Sequence, residues 1–179
     1  MQNRLYEKYK NELTPKLLAD LKLSTVMEVP RLKKIVVNCG IGGFRDDKAA
    51  VETFVQELAE ITGQHPSSRK ARLSEAGFKI RRGDVVGLVT TLRGLRMWVF
   101  LDKLISLALP RVKDFKGLSY NGFDELGNYS IGIRDHTIFS EVNPNTTKGI
   151  RSLQLTLVVS AKNKDHGKSL LKSLGLPLV

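Results

Sequence analysis

Residues 151–161, RSLQLTLVVSA, constrain the fold more than any other stretch. Leu153, Leu155, Leu157 and Val159 fall on one side of an extended chain, and Ser152, Gln154, Thr156 and Ser160 on the other. A strand buried on both faces would read as an unbroken apolar run, whereas this one keeps a polar side. The alternation predicts a largely antiparallel sheet, with helices packed on one face and the other face open. The fold class is α+β in two layers. At 179 residues the chain suits a single domain over 1–179 with a real core.

The remaining segments fit that plan. Leu5, Tyr9, Leu13, Leu17 and Leu21 form one apolar stripe over residues 3–22, and Pro15 predicts a second helical piece there with Thr14 as its N-cap. EVPRLKKIVVN enters a strand, since a residue before proline is biased to extended geometry. Residues 47–62 read as a helix carrying Val51, Phe54, Val55, Leu58 and Ile61 on one face, stopped by Gly63. DVVGLVTTLRG holds a strand from Val85 to Leu92. GLRMWVFLDKLISLAL is a helix closed by Pro110, with Trp98 in its core. Residues 111–148 are rich in Gly, Asn and Asp and predict an extended loop or hairpin excursion with short strands such as YSIGIR. KDHGKSLLKSLG is the last helix, ending at Gly175.

No window nears the roughly 20 apolar residues a membrane helix needs. The N-terminal MQNRLYEKYKNEL carries both charge signs, unlike a signal or transit peptide, so the chain is expected to act where it is made or after any presequence is lost. The single cysteine, Cys39, lies in an apolar run and reads as a small buried hydrophobe. His65, His136 and His166 lack metal-ligand spacing, and no hydrolase or metalloprotease motif occurs. No enzyme, metal or cofactor is implied.

The stretch IVVNCGIGGFRDDKAAV has the strand–glycine–helix layout of phosphate-cradling sites. A dinucleotide fingerprint would need a third glycine where Arg45 stands, after Gly40 and Gly42. Asp46 and Asp47 at the helix start would repel a phosphate while capping the helix. The segment reads as a tight strand-to-helix turn. A nucleotide-dependent enzyme built on it is a competing reading, and a generic nucleic-acid-binding module is another.

Charge points toward polyanions. Twenty-nine Lys and Arg stand against eighteen Asp and Glu, a formal net charge of +11, which favours nucleic-acid partners through counterion release. RKARLSEAGFKIRRGD concentrates it: between Arg69 and Arg82 stand Arg69, Lys70, Arg72, Lys79, Arg81 and Arg82 against Glu75 alone. Small residues and weak periodicity predict an extended loop able to follow a phosphate backbone. Phe78 inside it could stack on a base, but reads first as an anchor for its own loop. Arg93, Arg96, Arg111, Lys113 and Lys116 form a second basic series around the helix that holds Trp98.

EVPRLKKIVVNCGIG, ELAEITGQHP, GLVTTLRGLRMWVFLDKLISLALPRVKDFKGL and FDELGNYSIGIRDHTIF together resemble the large-subunit ribosomal protein five family in its bacterial or organellar type. The resemblance runs from about Arg4 to Pro177. It implies an antiparallel sheet with helices on one side, and a structural role in the large ribosomal subunit. That role is to bind 5S ribosomal RNA, link it to 23S ribosomal RNA in the central protuberance, contact peptidyl-site transfer RNA, and bridge to the small-subunit head. It implies 5S contacts at Asn38, Gln64 and Thr91, with Gly40 and Gly42 permitting close backbone approach. The basic loop 69–82 corresponds to the part reaching transfer RNA. Residues near 136–149, with His136, Asn143, Asn145 and Lys148, correspond to the bridge, whose expected partner is small-subunit protein thirteen. Neighbouring large-subunit proteins are further partners, and the location implied is the ribosome of a bacterial cytoplasm or an organelle stroma or matrix, a plastid included. The chain departs from the family pattern where FDGRGNY becomes FDELGNY, IREQ becomes IRDH, and RGMD becomes RSLQ.

Overall fold

The computed structural model describes residues 3–144 and 147–179. Five strands form an antiparallel sheet in the order β2-β3-β1-β5-β4. They are β1 (Arg31–Gly40), β2 (Ser67–Lys70), β3 (Val85–Leu92), β4 (Tyr129–Ile133) and β5 (Leu153–Ser160). The strand alternation expected for 151–161 is present: Leu153, Leu155, Leu157 and Val159 are buried, while Gln154 is exposed. The chain divides into two compact units, one of Met1–Ile35, Leu92–Ile131 and Thr156–Val179, the other of Val36–Thr91 and Gly132–Leu155.

The first unit carries the N-terminal helical run. Asn3 caps α1 (Arg4–Lys8) by accepting from the Leu5 and Tyr6 N–H groups at 2.9 and 3.2 Å. A wider π turn, Tyr9–Leu13, then leads into α2 (Thr14–Asp20). The second helical piece expected at Pro15 is present, but Thr14 is not its cap. Thr14 is itself helical, at φ −60 and ψ −52, and its hydroxyl donates to the Tyr9 carbonyl at 2.9 Å instead of capping. The Pro15 ring crowds the carbonyl four residues back and brings no N–H of its own, and widening the preceding turn lets the helix pass without a break. The wider turn also suits the stripe's four-residue spacing, which would drift by about 40° per step on an ideal helix. The same device recurs after α4 (Gly94–Lys103). A π turn, Leu104–Ala108, precedes Pro110, and the run ends in a 3₁₀ turn, Leu109–Arg111.

Packing in this unit is mostly aliphatic and includes an aromatic cluster. Trp98 is buried, as expected, and its ring lies 5.6 Å from Tyr6 and 5.2 Å from Tyr9. The C-terminal helix α5 (Lys164–Ser173) is followed by Gly175 in a positive-φ turn. Gly167 on that helix meets Gly127 so closely that a Cβ there would sit 2.5 Å from the Gly127 carbonyl oxygen.

The second unit holds α3 (Lys48–Thr62). Its limits are those the sequence predicts: Asp47 caps the start by accepting from Ala50 N–H at 3.0 Å, and Gly63 ends it in the left-handed conformation, φ 67. Phe54, Leu58 and Ile61 are buried, and so are Val37, Cys39, Leu88, Ile133 and Phe139 of the same unit.

Candidate nucleic-acid interface

Strand parity in the second unit separates a buried face from an open one. Along β1, Val37 and Cys39 are buried and Asn38 between them is exposed. Along the neighbouring β3, Leu88 and Thr90 are buried while Val89 and Thr91 are half-buried. Asn38 and Thr91 therefore share the open face, on adjacent strands. The register of β2 on β3 sets Ser67 opposite Val89 and Arg69 opposite Gly87, and this puts both on the same face, where Gln154 of β5 is also exposed. Ser67 and Gln154 are thus polar members of the face that sequence reasoning did not single out. The alternation in 151–161 was the signal for Gln154.

Gly40 ends β1 and Gly42 lies in the following turn, both exposed. Gln64 stands apart from the sheet, in the loop between α3 and β2, where its carbonyl accepts the Thr62 hydroxyl at 2.8 Å. Its position just beyond the helix-ending Gly63 follows from the cap.

The basic segment is not the extended loop expected. β2 and β3 pair antiparallel, with an irregularity between Arg69 and Lys70. The ladder continues beyond the strands through Ala71 N–H to Asp84 O at 2.8 Å and Gly83 N–H to Ala71 O at 3.0 Å. Glu75 and Ile80 exchange both backbone bonds, at 2.9 and 3.0 Å, and close a short tip that contains the 3₁₀ turn Ala76–Phe78. Two side chains fasten the backbone: Asp84 Oδ2 accepts from Arg81 N–H at 2.8 Å, and Ser74 Oγ from Arg82 N–H at 3.0 Å. The sequence signal was RRGD, where glycine supplies the positive φ of 98 and aspartate bonds back to the turn. Arg69, Lys70, Arg72, Lys79, Arg81 and Arg82 are all exposed on this frame. Phe78 does not anchor the segment, since it is 76% exposed.

His136 also departs from expectation. It is fully buried and so cannot touch a partner at a bridge. Its Nδ1 accepts from Arg151 N–H at 3.2 Å, which fixes the proton on Nε2, 3.1 Å from Glu57 Oε2 and 3.3 Å from Thr147 Oγ1. Its ring meets Phe54 edge-on at 5.5 Å. The residue ties the 147–151 segment to α3. Asn143 and Lys148 are exposed, and Asn145 lies outside the described residues.

Catalytic readings find no support in this geometry. The Cys39 thiol is buried, donates to Ser152 O at 3.0 Å, and is pushed up to about 11 by burial, so it stays protonated at neutral pH. At the glycine turn, the Asp47 carboxylate already occupies a helix-start N–H. The open cleft beside it, about 430 Å³, is lined by Asp46, Glu52 and Asp84 as well as Arg45 and Lys48. Three carboxylates there disfavour a free nucleotide. Among the described residues no cluster of His, Cys, Asp and Glu could hold a metal ion, and no helix is long and apolar enough to cross a membrane.

The second basic series belongs to the first unit, where Arg93, Arg96, Arg111, Lys113 and Lys116 are exposed. The motif change in FDELGNY falls on the tip of a turn. Asp124 accepts from the Leu126 and Asn128 N–H groups at 3.0 and 2.8 Å and from the Asn128 amide at 2.7 Å, while Glu125 and Leu126 point outward. The residues that fold the turn are kept, and the departures are on its surface.

Comparison with known proteins places the chain in a family. Residues 25–81 match the family model described as ribosomal protein L5, and residues 85–178 match the ribosomal L5P family C-terminus. The large ribosomal subunit protein uL5 of Chloroflexus aurantiacus is 46% identical over 177 residues, covering 99% of this chain and 98% of its own. That of Geotalea daltonii is 46% identical over 174 residues, 97% of each chain, and that of Syntrophomonas wolfei is 45% identical over 97% and 98%. With a basic hairpin, an open polar sheet face, two matching family models and relatives of this identity along nearly its whole length, the chain belongs to the ribosomal protein L5 family.

Proposed function

We propose that this chain, by its family a structural and non-catalytic constituent of the large ribosomal subunit, works as one domain that binds 5S ribosomal RNA. The contact surface is the open face with Asn38 and Thr91, the turn with Gly40 and Gly42, and the loop with Gln64. In this reading the chain links 5S to 23S ribosomal RNA in the central protuberance. The basic hairpin reaches transfer RNA in the peptidyl site, and the exposed Asn143 and Lys148 face small-subunit protein thirteen.

One observation carries the 5S assignment. A Cβ at Gly40 or Gly42 would meet nothing within 4 Å, and neither residue has a positive φ. Neither packing nor backbone geometry inside the chain calls for glycine there. A glycine free of both demands suits close approach by an outside backbone. Around it, Asn and Thr side chains can exchange hydrogen bonds with 2′-hydroxyls and base edges, the groups by which folded RNA is recognised.

The test is filter binding to 5S RNA and to transfer RNA at several salt concentrations. A preference for 5S that persists as salt rises supports the reading, and log K falling linearly with log salt counts the phosphates engaged. Equal affinity for both RNAs at every salt would sink it. A thermal shift with ATP or NAD would instead favour the nucleotide reading.

A further inference from the structure

We propose that Phe78 is a base-stacking residue which the hairpin presents to an unpaired nucleotide, and that Arg45 is the positioning residue that holds it in place. This rests on the reading of the hairpin as an RNA contact and names what its tip takes.

A large apolar side chain left in water at the apex of a hydrogen-bonded frame is informative, because such groups are normally buried. Phe78 is 76% exposed, and Leu73 on the same hairpin is 81% exposed. The tip is closed by the paired backbone bonds between Glu75 and Ile80, so the ring is carried on a short, closed turn. The next residue, Lys79, takes the left-handed conformation at φ 53 and ψ 36, which a non-glycine residue adopts at an energetic cost. Strain of this kind persists only where the surroundings enforce it.

Arg45 does the enforcing. It stands where the dinucleotide fingerprint would have its third glycine, and its guanidinium donates to the Lys79 carbonyl. Its side chain is only 16% exposed, and its Nε lies 3.6 Å from Asp46 Oδ1. The glycine turn and the hairpin tip of this unit are thereby joined by one side chain. Swinging the tip away would break that bond.

Charge selects the occupant. Six exposed cations share the hairpin with Phe78. An apolar protein pocket receiving this ring would have to desolvate some of them, whereas an RNA strand neutralises them while offering a π-face. An unpaired base is needed, since bases within a duplex already stack on one another.

The experiment uses the full chain and two RNA probes with equal numbers of phosphates, a stem-loop with an unpaired apical loop and a blunt duplex. Phe78→Leu is expected to weaken stem-loop binding about tenfold, with the salt slope unchanged and duplex binding unaffected, and Phe78→Trp to restore it. Arg45→Met is expected to produce the same loss, with no further loss when combined with Phe78→Leu, and Arg45→Lys to recover part of it. If Phe78→Leu binds the stem-loop like the parent chain, or weakens the duplex equally, stacking is overturned. Additive losses in the double variant overturn the positioning role. A triple Arg72/Arg81/Arg82→Ala variant separates the levels. If it lowers the salt slope while Phe78→Leu does nothing, the charged contact stands and stacking falls. If it binds both RNAs unchanged, the hairpin reading itself falls.

Discussion

Trp98 and Phe78 are both large aromatic residues near basic stretches, and they meet opposite fates. Trp98 is 6% exposed, against Tyr6 and Tyr9, on a helix that also buries Met97, Phe100 and Leu101. Phe78 is 76% exposed at the tip of a hairpin whose other side chains are mostly charged or small. The difference lies in the neighbours. Apolar residues at helical spacing give Trp98 partners to pack on, while on the hairpin Leu73 is itself exposed and Ile80 only half-buried, so no core forms. One aromatic holds the fold together, and the other is available to something outside it.

The strongest way to break this comparison is to truncate both. Trp98→Ala removes a buried indole and two ring contacts, with an expected loss of about 3–5 kcal/mol in urea unfolding. Phe78→Ala should stay within about 0.5 kcal/mol, as for a surface substitution. Similar losses at the two positions would mean that Phe78 serves the fold after all.

The next effect is on binding rather than stability. Arg72, Arg81 and Arg82 to Ala together should cost about 2–3 kcal/mol of RNA affinity near physiological salt and lower the salt slope by about 2–3. Unfolding should barely change, because the bonds from Arg81 and Arg82 to Asp84 and Ser74 use backbone N–H groups that survive the substitution. An unchanged salt slope would remove these arginines from the phosphate contact.

How much of this could be read in the sequence follows from the range of the forces involved. The limits of α3 are set by Asp47 and Gly63, which act within one turn, and both were legible. So was the open face, because alternation along Leu153–Ser160 records burial residue by residue. The π turns were not. Pro15 and Pro110 signal a helix break on their own, and only tertiary burial of Leu13, Leu17 and Ala108 makes a widened turn preferable. The hairpin was missed because its order comes from backbone pairing between its two arms, of which RRGD marks only the return turn. His136 was misplaced for a similar reason, since Glu57 is 79 residues away in the chain.

That histidine gives the third effect. His136→Ala leaves a buried Glu57 carboxylate and the Arg151 N–H without their partner, with an expected cost of about 1–3 kcal/mol. Glutamine in this place would keep both roles, since its amide offers a donor and an acceptor. His136→Gln should therefore cost clearly less than His136→Ala in the same unfolding measurement. Equal losses would show that ring packing on Phe54, not the paired hydrogen bonds, is what the site supplies.

The smallest effect bears on the open face. Asn38 is exposed between two buried residues, so Asn38→Ala leaves the core of β1 untouched and should not move the unfolding midpoint. If its amide meets 5S RNA, affinity should fall by about 1–2 kcal/mol, as for one lost hydrogen bond to a charged or polar partner. The salt slope should stay the same, because no phosphate is released. This separates it from the hairpin arginines, which change the slope by design. A stable protein with unaltered 5S affinity would move the contact off β1 and leave the glycine turn to carry it.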